Sequence, residues 1–490
     1  MEIDEPELAG PSTTRKVTYR PVDDAHPFDL EAYLSSYTGK TVIDRIICII
    51  QLCPTLAPQA MQIANPLLLG LRDTNMLLGL FHACEQATSS GLLDGSTQWN
   101  EPTKWDLGAV DDLNRRNQED KTRLEVELKT YTSNMIKESI RMAHRDLGEF
   151  YRSIGDYPLS LKHYQKMREF CGSSQQVLEM CMFVLELLIE SRNYSLITSY
   201  VYKAEPALDA TTNSLRNANQ GPTATAAPPG KEKIAAEREK VQSKLDLATA
   251  ISHLGQGTYD KAATFFLKVG SIKSLEHWAT TLVSPSDIAI YGTLCSLASF
   301  PRSIIKSHLL DNDTFGVFVE QEPYVRELVE AYMASKFKAV LEILERYSTR
   351  HYIDLFLGSH VLNLTNLIRS RALVLYFQPF ASVKLESLAS AFGWTPEYLE
   401  QQVVGLIQAG EIQARVDRQN KILKAKDTDQ RSALYARAIK AGADMQATNR
   451  KLLLRMRLQQ ADLIVKPPKS QQQSSSLMEG NLSNFSSGAY

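Results

Sequence analysis

The sequence predicts a mainly α protein: stacked helical hairpins form a right-handed solenoid, a winged helix follows, and one long C-terminal helix closes the fold. Three observations carry this reading. A hairpin pattern of small and aromatic residues recurs in HRDLGEFYRSIGDYPLSLKHYQKMREF, AISHLGQGTYDKAATFFLKVG and LVEAYMASKFKAVLEILERY. From KLESLASAFG to KILKA the pattern changes to helix, helix, strand, turn, strand. Beyond that, apolar residues recur at three- and four-residue spacing from Leu434 to Leu463.

In chain order, residues 1–26 read as a flexible tail. The stretch MEIDEPELAGPSTTRK has no apolar core of the kind a secretory signal needs. Residues 27–204 read as an N-terminal helical domain that includes the first repeat hairpin. The longest apolar run, VIDRIICIIQLC (42–53), carries Asp44 and Arg45. It falls far short of the ~20 residues of a membrane span, so it reads as a buried helix. TSSGLLDGSTQWNEPTK (88–104) is turn-rich and reads as a loop, and residues 119–137 as a long charged helix.

In the first repeat, Leu147, Gly148 and Tyr151 share one helix, Gly155-Asp156-Tyr157 make the turn, and Ser160 and Tyr164 lie on the second helix. The small residues let the helices approach, and Tyr and Leu fill the groove, as in a tetratricopeptide hairpin. Gly257, Tyr259, Ala262 and Phe266 hold equivalent places in the second copy; Phe337, Val340 and Leu344 mark a weaker third. Such hairpins bury their apolar faces mainly by stacking on neighbours. Residues 205–235, rich in Ala, Thr, Asn and Pro with no large apolar anchor after Leu215, read as a disordered insert. The solenoid resumes over 236–375.

Residues 376–428 read as the winged helix. YFQPFA, aromatic and interrupted by Pro, reads as an edge strand. Leu385, Leu388, Ala389 and Phe392 then share a helical face closed by Gly393. Thr395 suits an N-cap and Pro396 the first helical position. Leu399, Val403, Leu406 and Ile407 point inward, and Gly410 ends the helix. Ile412, Ala414 and Val416 alternate on one strand face; RQN turns the chain and KILKA returns, with Ile422 and Leu423 leaving its inward face open. Residues 429–466 read as one helix whose stripe includes Leu434, Met445, Leu452, Met456 and Leu463. Its stretch Ser432–Leu463 would extend ~48 Å, longer than so small a domain is wide, and such a helix seeks partner helices. Residues 467–490 read as a polar, disordered tail.

Charge and motifs exclude several functions. Lys and Arg total 54 against 56 Asp and Glu, a net charge near -2. That gives no global attraction to nucleic acid or an anionic membrane. PEYLEQQVVGLIQAG, the helix that would enter a DNA groove, holds no cation, and its Glu397 and Glu400 would be repelled by phosphates. The six cysteines match no zinc spacing and read as reduced, mostly buried thiols. Gly39-Lys40-Thr41 has Leu34 where a phosphate-binding loop needs glycine, and Gly255-Gln256-Gly257 lacks the third glycine of a dinucleotide site. The nine histidines include no His-x-His pair, and no HExxH or GxSxG occurs. The reading is therefore a non-enzyme with no cofactor and no metal.

Four segments, in order, resemble one family. They are DLEAYLSSYTGKTVIDRIICIIQLCPTLAPQA, NMIKESIRMAHRDLGEFYRSIGDYPLSLKHYQKMREFC, LVSPSDIAIYGTLCSLASF and QARVDRQNKILKAKDTDQRSALY. The chain is similar to the PCI family of scaffold subunits, in the branch that joins the proteasome lid subunit Rpn-seven with subunit one of the signalosome; the last two segments look like the signalosome side. The resemblance spans most of residues 27–464. It implies a non-catalytic scaffold in the COP9 signalosome, the complex that removes the modifier Nedd-eight from cullins and so regulates cullin–RING ligases. The zinc site is implied to lie in another subunit. Winged-helix sheets are implied to join edge to edge, with subunits two and three as neighbours and contacts at Ile412, Ala414, Val416 and Ile422. C-terminal helices are implied to gather in one bundle, here through Leu434, Met445, Leu452, Met456 and Leu463. The implied location is cytoplasm and nucleus. A proteasome lid scaffold is the nearest alternative; a winged-helix nucleic-acid binder is the alternative of another class.

Overall fold

A computed structural model of the chain describes residues 19–20, 22–68, 70–89, 107–218, 230–426 and 430–463. Both expected tails lie largely outside these residues, as does most of the 88–104 loop. Two units are distinguished: residues 1–412 with 416–423, and residues 413–415 with 424–490.

In the first unit the apolar run becomes helix Lys40–Leu52, which buries Val42, Ile43, Ile46, Ile49 and Ile50. Helices Ala57–Leu68 and Thr74–Ser89 close over it, adding Ala60, Leu77 and Leu80 to the same core. The charged helix runs over Leu107–Ser133, earlier in the chain than expected. Its Leu124 and Leu128 lie on Leu147, Phe150 and Tyr151 of the first repeat.

That repeat pairs helix Lys137–Ile154 with helix Tyr157–Met167. Gly155 turns the chain at φ +89°, a conformation costly for any residue with a Cβ. Asp156 then caps the second helix by accepting from the Leu159 N–H. The close approach is at Gly148: its carbonyl accepts from Ser160 Oγ at 2.7 Å, and a Cβ there would sit 2.5 Å from the Tyr164 ring. The second copy, Gly230–Gly255 with Tyr259–Phe266, turns at Gly257, φ +76°. The third pairs Pro323–Met333 with Phe337–Arg346.

Between the first and second copies stands a hairpin the sequence reading missed, Ser174–Glu190 with Tyr194–Ala218. The expected insert at 205–235 is therefore corrected. Helix runs to Ala218 and resumes at Gly230, and Ala207 and Leu208 are buried. Ala207, Leu208 and Thr212 supply the buried contacts that a count of large apolar residues undervalues. Only 219–229 remains of the insert, outside the described residues. Consecutive helices touch throughout this series, as stacked repeats require.

YFQPFA is also corrected: Tyr376 and Phe377 end helix Val361–Phe377, and strand β1 is Ser382–Lys384. Helices Leu385–Phe392 and Pro396–Gln408 follow, separated by Gly393 at φ +68°. Thr395 occupies the N-cap position without a side-chain bond to the helix. Strands β2, Ala414–Asp417, and β3, Ile422–Ala425, complete a three-stranded sheet in the order β1-β3-β2. In the second unit, helix Gln430–Gln460 has 31 residues and is ~47 Å long.

A buried ionic network ties the N-terminal helices to the repeats. Arg45, fully buried, donates to Asp354 at 2.9 Å and to Asp287 at 3.2 Å, and also to Tyr33. Arg350 holds the other Asp287 oxygen at 2.7 Å, and Tyr291 donates to Asp354 at 2.5 Å. Burial alone would raise the Asp354 carboxyl; Arg45, Arg350 and the hydrogen-bond donors outweigh it and hold it below the usual range. Helices Lys40–Leu52, Pro285–Ser299 and Ser348–Ile353 thus meet at one point. Arg45→Met would leave buried Asp354 without its ion pair and Asp287 with Arg350 alone. We expect a loss of ~3–5 kcal/mol, read as a lower unfolding midpoint and faster proteolysis of the N-terminal helices.

Two glycines give opposite expectations. Gly148→Ala forces the Tyr164 ring aside and should cost ~1–3 kcal/mol. Gly405→Ala, within helix Pro396–Gln408 and with open space at its Cβ, should stabilise by up to ~1 kcal/mol. Thermal unfolding of the two variants checks both signs.

Acid sensitivity follows from His351. It is buried against Tyr324, its Nε2 3.1 Å from the tyrosine oxygen, and burial, with Arg350 adding, pushes its pKa down from 6.5 to about 3. Between those two values the unfolded chain takes up a proton that the folded chain refuses. Stability therefore falls as pH drops through that window, by ~1.4 kcal/mol per pH unit for each such histidine. Melting temperatures from pH 7 to 5 should decline, and His351→Gln should show a shallower decline.

Candidate functional site

The residues weighed for catalysis serve structural contacts. Lys40 Nζ reaches Asp73 at 2.8 Å and the Arg152 carbonyl at 3.1 Å, and Thr41 donates to the Thr281 carbonyl. Gly39-Lys40-Thr41 is thus a joint between helices. His144 and His163 bring their Nδ1 atoms to 3.1 Å, His277 meets Glu186 at 2.9 Å, and His360 meets Tyr259 at 3.1 Å. Burial pushes the thiols of Cys53 up to about 12 and of Cys84 and Cys181 to about 11, which suppresses the reactive thiolate. Among the described residues, no group of three His, Cys, Asp or Glu is placed to hold a metal ion.

The residues singled out for contact with other proteins lie on the small sheet and the long helix. The sheet order makes β3 the middle strand and β1 and β2 the edges. Ile422 therefore lies on a strand paired on both sides, and the expectation of an open edge there is corrected. Leu423, fully buried, is the inward residue of β3 and resolves its face. Ile412 and Ala414 are buried and Val416 half-buried, so these side chains face inward. β2, like β1, stands at the edge of the sheet, the position at which a further strand can be added. Helix Pro396–Gln408 buries Leu399, Val403 and Leu406. Its outer side shows Glu397, Tyr398, Gln401 and Gln402, none of them a cation.

The long helix differs. Leu434 is 66% exposed, Met445 68%, Leu452 51%, Met456 60% and Leu463, beyond its last turn, 69%. Sequence reasoning overlooked Tyr435, Ile439, Leu453 and Leu454, all exposed as well. For Leu453 and Leu454 the signal was the run RKLLLRMRL, in which apolar residues are not confined to one stripe. It also overlooked the network at Arg45, signalled by a charged residue inside the most apolar run of the chain.

Comparison with known proteins agrees with this architecture. The family described as 26S proteasome subunit RPN7 matches residues 106–308, and the PCI domain matches residues 342–427. COP9 signalosome complex subunit 1 of Arabidopsis thaliana is 34% identical over 442 residues, covering 90% of this chain and 91% of that protein. Subunit 1b of Drosophila melanogaster is 30% identical over 477 residues, covering 89% and 86%. The 26S proteasome non-ATPase regulatory subunit 6 of Dictyostelium discoideum is more distant, 19% identical over 348 residues, covering 70% and 83%. Coverage of about nine-tenths of both chains at 34% identity, with both domains in the expected order, places the chain in the COP9 signalosome subunit 1 family.

Proposed function

We propose that this chain is a non-catalytic scaffold subunit of the COP9 signalosome. In this reading the complex removes Nedd-eight from cullins in the cytoplasm and nucleus, with its zinc site in another subunit. The chain joins subunits two and three through its winged helix, and meets neddylated cullin–RING ligases indirectly. Family membership supports the complex; the observation that carries the scaffold role is the long helix with its apolar residues exposed. Burying a large apolar side chain is worth ~1.5–3 kcal/mol, so Leu452, Met456, Leu458 and Leu463 together favour assembly by several kcal/mol before ordering costs.

The proteasome lid reading rests on relatives of lower identity and is separated by mass spectrometry of co-purified subunits. Truncation after Asp427 tests the scaffold reading. The shortened chain should remain folded, with the unfolding profile of its repeats intact, and should fail to co-purify with the other subunits. Recovery of the truncated chain at full stoichiometry would sink the helix argument.

A further inference from the structure

We infer that the helix Gln430–Gln460 is recognised by acidic helices of other chains, which enclose residues 450–458 on more than one side. The inference rests on the assembly role proposed above and adds the chemistry of the partner. The helix carries seven Lys and Arg against one carboxylate, Asp444, in a chain whose net charge is only -2. Four of those cations, Arg450, Lys451, Arg455 and Arg457, fall in RKLLLRMRL.

Successive helical residues are rotated by ~100°, so Leu452, Leu453 and Leu454 point in three directions. They are 51%, 58% and 60% exposed. A membrane surface or a single partner helix covers one stripe. Three divergent leucines require cover on several sides, and whatever covers them encloses the cations between them. None of the four cations has an ion pair among the described residues. Burying a cation without a counter-charge costs more than burying a leucine returns. The covering surface must therefore supply carboxylates as well as apolar side chains. A nucleic acid would satisfy the charges and leave the leucines bare. Nearer the start of the helix, Leu434, Ala438, Ala441 and Met445 share one narrow sector, while the exposed Tyr435 and Ile439 lie ~100° or more away from it. Arg437 at its margin again asks for a carboxylate in register.

Two measurements on the intact complex test this. Carbodiimide coupling joins an amine to a carboxylate only in direct contact; Lys451 should link to Asp or Glu of other subunits. Second, the full chain with Arg450→Glu, Lys451→Glu, Arg455→Glu and Arg457→Glu keeps every leucine. It should unfold at the wild-type temperature and lose at least ~10-fold in co-assembly through like-charge repulsion. Wild-type assembly of this variant, with no carboxylate link from Lys451, overturns acidic recognition. Loss of assembly on truncation would in that case leave the scaffold role standing, whereas unimpaired assembly of both chains removes the role itself. Binding of the wild-type chain to phosphatidylserine vesicles, abolished by the four reversals and accompanied by no links in the complex, would also overturn it, in favour of a membrane.

Discussion

A helix with one apolar face must lay that face on something, and this requirement organises the chain from end to end. Lys40–Leu52 lays Ile43, Ile46 and Ile50 on its two neighbours. Each hairpin of the repeats lays its face on the next, and Gly148 and Gly257 exist to make the approach and the turn possible. The series ends at Gln430–Gln460, where the same kind of side chain is exposed. What is satisfied within the chain elsewhere is exposed there, and the proposed scaffold role rests on that remainder.

Stacking alone specifies neighbours weakly, because one apolar face fits another with small losses. The network at Arg45 supplies register. One guanidinium must meet Asp287 and Asp354 together, while Arg350 completes Asp287 and Tyr291 completes Asp354. A slip of one helical turn by any of the three helices would leave a buried charge without its partner. The joint at Glu186, which accepts from Arg152, His277 and the Trp278 indole, plays a similar part, tying the first two hairpins to the chain beyond Phe266. These contacts cost desolvation and return geometry.

The repeats were legible because their signals are local: Gly155 and Gly257 at the turns, Leu147 and Tyr151 one turn apart, Phe337 and Val340 on one face. The stripe on the last helix was legible for the same reason. The hairpin ending at Ala218 was not. Its closing turns are held by Ala207, Leu208 and Thr212, residues whose burial depends on what stacks against them and leaves little trace in composition. β1 was displaced because aromatic residues read as strand continued a helix under tertiary packing. Ile422 was misplaced as an edge residue because strand order is a long-range fact; two strands joined by RQN say nothing about a third arriving from residue 382. The Arg45 network joins residues more than 240 positions apart, beyond any periodicity.

The central claim is that the exposed apolar residues of Gln430–Gln460 become covered in the assembled complex. Amide hydrogen exchange compares the two states directly, residue by residue. The account predicts that amides of residues 434–458 exchange fast in the isolated chain and gain strong protection on assembly, with the largest gain around Leu452–Leu454. Equal exchange of this segment in both states would contradict it.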